Sequence, residues 1–246
     1  MKSIVRLNVA GAVLATTLAL SGVSLSAMAA SASAALPEFK PESGKFPVAF
    51  TSTSGAGTLE TVKKETVKCT ADKDQGEISG AKAVSNTTVT FTGCTGPLSS
   101  HCQTAGAKEG EIITKALKGK PVYINEAEKS VGLALEPQEG TEFVVFECVG
   151  IFGIKATLKV KGSVIGQIPA ENAAKEKQLN EQRKTLEILF KQKAGIQEPT
   201  EYEEGGKKIP DFLETESKGA IAFGYEQSGE ETTDTNTTTE NVELKA

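Results

Sequence analysis

From Ile154 to Val160 every second residue is apolar. Ile154, Ala156, Leu158 and Val160 fall on one face of an extended chain, and Lys155, Thr157, Lys159 and Lys161 fall on the other. Side chains on a strand repeat every two residues, so this stretch specifies a half-buried β-strand. The pattern recurs. Val89 and Phe91 alternate with Thr88, Thr90 and Thr92 in TTVTFTGC (87–94), rich in the branched residues that suit a pleated surface. FPVAFT (46–51), TLETVKKETVKC (58–69), GEISGAKAV (76–84), GEIITKALKG (110–119), PVYIN (121–125), VGLALEP (131–137) and TEFVVFEC (141–148) read the same way. Gly76, Gly110, Gly119, Pro137, Gly140 and Gly150 punctuate them, and Gly162 permits a bend within the longest run, 153–168. Short strands so spaced predict an all-β fold, an antiparallel sandwich or barrel-like domain with little helix.

The second half is less regular. PAENAAKEKQLNEQRKTLEILFKQ (169–192) contains strong helix formers, and Leu179, Leu186 and Phe190 would share a helical face. Leu186, Ile188 and Phe190 also alternate, and the reading adopted is a strand from Thr185 to Lys191 after a loop or short helix, with a sub-boundary near 169–183. AGIQEPTEYEEGGKKIPDF reads as a long loop, GAIAFGYE (219–226) as a strand, the polar segment 227–240 as a loop, and NVELKA as a closing strand.

The first residues read as an address. Lys2 and Arg6 precede an apolar run from Val9 to about Leu20, followed by overlapping A-x-A sites ending at Ala29 and Ala34. That order marks a secretory signal peptide over 1–34, leaving one β-rich domain over 35–246. No cysteine precedes Cys69, so no lipid is expected on a new N-terminal cysteine, and the polar TTTENVELKA offers no anchor. A secreted protein with no membrane span after cleavage is expected. Removing 1–34 takes away two basic residues and no acids, leaving 25 basic and 32 acidic residues and a formal charge of −7. That balance gives no footprint for nucleic acid. Tryptophan is absent and aromatics are 5 % of the chain, so platforms for stacking sugars or bases are few.

The ordered set LPEF, GTLET, GEISGAK, TVTFTGC, a second cysteine, GEIITKALKG, VGLALEP and GSVIGQIPAEN resembles secreted, functionally uncharacterised proteins of soil actinobacteria. The match is best from Leu36 to Asn172. The resemblance implies export, a shared β-rich domain, a strand around Leu186 and a terminal strand at NVELKA. It implies no activity and supplies no catalytic residue.

Four cysteines in an exported chain imply two disulfides, with three possible pairings. Cys94 and Cys102 are eight residues apart across Gly96 and Pro97, so Cys94–Cys102 is expected, with Cys69–Cys148 by remainder. A zinc site would need tighter ligand pairs than His101 beside Cys102, and export oxidises thiols, so no metal is expected there. A nucleophilic triad would have to use His101, the single histidine, with Ser99 or Ser100 too close in sequence to serve, and no G-x-S-x-G occurs. Asp72, Asp74, Glu77, Glu111, Glu142 and Glu147 are candidate acids for a glycosidase pair, which needs two carboxyls facing across a cleft. ADKDQGEI (71–78) fails the calcium-loop pattern, because counting from Asp72 the fifth and sixth places hold Gly76 and Glu77. It reads as a polar turn. No catalytic residue and no cofactor is therefore assigned. The expectation is a non-catalytic domain acting on an unknown extracellular or cell-surface ligand, with Pro97, Leu98, Ser99 and His101 as recognition loop. A hydrolase of extracellular polymers using paired carboxylates, and a protease inhibitor presenting Leu98, are the alternatives.

Overall fold

The structure is a computed structural model and describes residues 37–246. The leader expected at 1–34 lies outside the described residues. In chain order the strands are β1 (Glu38–Pro41), β2 (Val48–Ser54), β3 (Gly57–Thr61), β4 (Thr66–Cys69), β5 (Ala71–Gly80), β6 (Ala83–Thr92), β7 (His101–Gln103), β8 (Ile112–Ile113), β9 (Leu117–Asn125) and β10 (Ser130–Pro137). They continue with β11 (Glu142–Val149), β12 (Lys155–Gly162), β13 (Val164–Ile168), β14 (Gln182–Lys193), β15 (Ile196–Glu198), β16 (Glu201–Glu204), β17 (Lys207–Pro210), β18 (Leu213–Gly219) and β19 (Phe223–Lys245). Short 3-10 turns stand at Pro97–Ser99 and Ile151–Gly153.

Eight of these strands close a barrel in chain order. β2 pairs with β5, β5 with β6, β6 with β9, β9 with β10, β10 with β13, β13 with β14, β14 with β19, and β19 returns to β2, every pair antiparallel. Closure leaves these strands without open edges. The remaining segments are excursions from that circuit, and most build a second sheet in the order β4-β3-β19-β18-β12-β11-β7. Thr95 bridges His101 on one side and Lys68 on the other, joining β7 to β4 and closing this sheet into a ring too. β19 serves both rings: Phe223–Ser228 pairs with β18 and Ser228–Glu231 with β3, while Thr232–Lys245 runs along β14, β2 and β1.

Alternation decides which side chains fill the rings. Ala156, Leu158 and Val160 are buried, while Lys159 and Lys161 pair on the outside with Glu142 and Glu214. Ile154 departs from its expected face and is exposed, because it precedes the strand in the turn. Along β10 the inward Val131, Leu133 and Leu135 join the main core. Ala134 faces the other way and packs with Val122 and Ile165 against Tyr202 of the β16–β17 hairpin.

Five readings are corrected. GAIAFGYE (219–226) is not one strand: β18 ends at Gly219, residues 220–222 turn, and β19 starts at Phe223. Residues 196–210 form three strands, not a long loop, since Gly205 and Gly206 both take positive φ and turn β16 back as β17. Segment 227–240 is the middle of β19, not a loop; its polar residues alternate, with Thr232 and Asp234 inward and Thr233 and Thr235 outward. ADKDQGEI is strand β5, not a turn, with Asp72 and Asp74 inside the barrel. The disulfides are Cys69–Cys94 and Cys102–Cys148. The Lys68–Thr95, Thr95–His101 and Cys148–Cys102 registers set the four cysteines in one row across four neighbouring segments. Bonding the middle two, Cys94 and Cys102, would strand Cys69 and Cys148 at opposite ends, about 14 Å apart at normal strand spacing. That exceeds the roughly 7 Å a disulfide spans, so two outer bonds are the arrangement that joins all four.

Candidate functional site

The second ring opens into an apolar pocket of about 260 Å³. Its walls are inward side chains of the ring: Leu59 of β3, Val67 of β4, Cys148 of β11, Leu158 of β12 and Thr215 of β18. Pro97 and Ser100 of the cysteine-flanked loop complete one side, and Ile151, Ile154 and Ile221 stand at the mouth. Beside it the turn after β11 projects apolar side chains into solvent. Ile151 is 71 % exposed, Phe152 96 % and Ile154 55 %. Phe152 has φ +62, uncommon for a bulky residue, at the tip of this turn. Solvent-facing apolar groups beside an apolar opening mark a contact surface more often than single scattered ones do.

The expected recognition loop is part of this wall. It is held by backbone hydrogen bonds, Gly96 N–H to Ser100 O at 2.8 Å and Cys102 N–H to Cys94 O at 3.0 Å, and each flanking cysteine ties it to a different neighbour. Gly96 is required by space: a Cβ there would lie 2.9 Å from Cys102 Sγ and 3.1 Å from Cys148 Sγ. Pro97 lines the pocket, and Ser99 is exposed with φ +56. Leu98 sits in the 3-10 turn, and its side chain lies outside what the structure describes. His101 is on the outside, its Nδ1 3.7 Å from Glu109 Oε1.

A second cavity of about 90 Å³ lies deeper, where the two rings meet. Its lining is mostly core, including Val89, Phe146, Val164 and Phe190, but it also receives Asp72, Asp74, Glu230 and Asp234. One carboxylate oxygen from each of Asp72, Asp74 and Asp234 lies within 4.8 Å of the others. β2 lies between β5 and β19, with Ser52 opposite Asp74 and Ser54 opposite Asp234. The Ser54 hydroxyl donates to Asp72 Oδ2. Burial pushes all four acids up from the usual carboxylate range, and their mutual repulsion pushes Asp74, Asp234 and Glu230 further, Glu230 to about 8. Among the described residues, no lysine, arginine or histidine lines this cavity.

The other candidate acids stay apart from this group. Glu142 lies between Lys115 and Lys159, with Oε2 2.6 Å from Lys115 Nζ, and the lysines hold its carboxyl below the usual range. Glu147 pairs with Lys155 at 3.3 Å. Glu77 accepts from Asn86 Nδ2 at 2.8 Å. The sequence reading missed Glu230 and Asp234, which it placed in a loop, and the apolar turn Ile151-Phe152. The available signals were the Ser52-x-Ser54, Asp72-x-Asp74 and Thr232-x-Asp234 spacings, each of which puts two polar groups on one strand face.

No family model, curated protein or solved structure matches this chain. No helix among the described residues is long and apolar enough to cross a membrane.

Proposed function

We propose that this chain is a secreted, non-catalytic β-barrel domain that takes the apolar part of a small extracellular ligand into the mouth of its second ring. The observation that carries this reading is the apolar pocket with Ile151 and Ile154 exposed at its rim and Phe152 exposed between them in sequence. Barrel mouths are common ligand sites, and about 260 Å³ lies near the roughly 300 Å³ lower end of small-molecule pockets. The leader-like start and the two disulfides support an exported setting. A hydrolase acting on a polymer gains no support from the acids, because Asp72 and Asp74 are buried within the barrel. Among the loop residues, Pro97 contributes to the pocket wall, and Ser99 and His101 stand on the outer surface.

Titration with a fluorescent fatty acid tests the reading. Saturable binding is expected for the wild type. Ala156→Phe, which puts a ring into the pocket, is expected to abolish it, and Phe152→Ser to weaken it by about 10- to 150-fold, since burying a phenyl group is worth about 1.5–3 kcal/mol. No saturable uptake by the wild type, or unchanged affinity in Ala156→Phe, would sink the proposal.

A further inference from the structure

The acids at the junction of the rings form more than a cluster of like charges. The nearby hydroxyls of Ser52 and Thr232, residues 3 % and 6 % exposed, close no well-formed hydrogen bond. Both turn toward the same group, Ser52 toward Asp74, its partner across β2 and β5, and Thr232 toward Asp72. One oxygen on each of Asp72, Asp74 and Asp234 is likewise buried and unpaired. Buried polar atoms are almost always satisfied, so several unpaired oxygens around one small space call for a common partner. A bound cation would satisfy them together and offset the gathered carboxylate charge, which no lysine, arginine or histidine among the described lining residues does. The donors are all oxygen, carboxylate and hydroxyl, the set that hard divalent ions prefer.

We propose that Asp72, Asp74 and Asp234, completed by the hydroxyls of Ser52 and Thr232, bind a calcium ion inside the barrel. Oxygens on opposite sides of a calcium ion stand about 4.6–5.2 Å apart, from bond lengths of about 2.3–2.6 Å. Three carboxylate oxygens within 4.8 Å of one another therefore reach one ion from their present positions. Magnesium needs bonds of about 2.0–2.1 Å in near-ideal octahedral geometry and keeps several waters. Three carboxylates and two hydroxyls around one point suit the roughly six to eight oxygens that calcium accepts better than the water-rich shell of magnesium. The donors come from β2, β5 and β19, which are neighbours only once the barrel has closed. The ion is thus bound as the fold forms, and its binding energy adds to folding stability.

The test uses the full chain, unfolded in chelator and refolded with calcium, with magnesium or with chelator alone. Expected are one calcium retained per chain on equilibrium dialysis and a melting temperature about 5–10 °C higher in calcium at a hundredfold excess over its dissociation constant. Asp74→Asn and Asp234→Asn, which keep shape and remove charge, should lose both effects. Loss of retained calcium in Ser52→Ala would support the assignment of the hydroxyls. The proposal is overturned if the wild type retains no calcium and melts alike in calcium and chelator. An equal shift with magnesium overturns it as well, as does a calcium shift that survives Asp74→Asn. The dialysis result on wild type decides the matter should the variants fail to fold.

Discussion

Replacing the two middle cysteines of the row separates the pairing seen here from its nearest competitor. With Cys69–Cys94 and Cys102–Cys148 bonded, the closed loops span 25 and 46 residues and follow one another without nesting. On the chain-entropy model such loops stabilise by about 3.5 and about 4 kcal/mol, and sequential loops should act almost independently. Cys94→Ala/Cys102→Ala breaks both bonds at once. It should cost about 7–8 kcal/mol, a large part of the roughly 5–15 kcal/mol that holds a domain together. It should also leave two free thiols, since Cys69 and Cys148 sit at opposite ends of the row. Were Cys94 bonded to Cys102, the same variant would lose one short loop worth about 2.5 kcal/mol and show no free thiol. Urea unfolding monitored by circular dichroism gives the first quantity, and thiol titration in denaturant gives the second. A variant with no titratable thiol and a loss near the smaller figure would refute the row of four and the closure of the second ring that rests on it. Cys69→Ala/Cys94→Ala is the control, expected to lose about 3.5 kcal/mol with no free thiol.

Two further outcomes follow from the core and from a buried acid outside the cluster. Leu117 is fully buried, and Leu117→Ala should cost about 2–5 kcal/mol in urea unfolding; a loss within experimental error would mean the barrel interior is not packed as described. Burial of Asp211, and to a lesser degree the charge of Glu136, push its carboxyl up to about 6, against a hydrogen bond from Ser163. The folded chain thus keeps this proton longer than the unfolded one. Its contribution to stability is full below about pH 3.8 and falls away as pH rises toward 6, by about 3 kcal/mol in all. Asp211→Asn should remove that slope and be the more stable protein above pH 6, and an identical pH profile in the variant would refute it.

Much of the barrel could be read from alternation, because half-buried strands carry the period on their surface. β10 and β11 fall within a residue or two of the expected runs, the run 153–168 is β12 and β13 broken after Gly162, and β14 contains the strand expected at Thr185–Lys191. The reading failed where inward positions are polar. On β5 and β19 the period persists, but Asp72, Asp74, Thr232 and Asp234 stand where apolar groups are normally counted, and Gly76 looked like punctuation. Gly76 is mid-strand for want of space: a Cβ there would lie 2.7 Å from Phe50 Cζ and 2.6 Å from Thr87 Oγ1. The cysteine pairing was hidden for another reason. Loop length along the chain favours near partners, whereas the bonds formed depend on which strands lie side by side. The meeting of Asp72 with Asp234 depends in the same way on β2 lying between β5 and β19.

The place of β19 in the chain sets an order of events during synthesis. It follows every other strand, yet each ring lacks a member without it. A nascent chain that has not yet released these 23 residues leaves β2, β3, β14 and β18 each with a missing neighbour. Such a chain cannot lock into its final shape, however long it waits. Only when its final strand is available can one segment, laid down like a zip, finish both rings together.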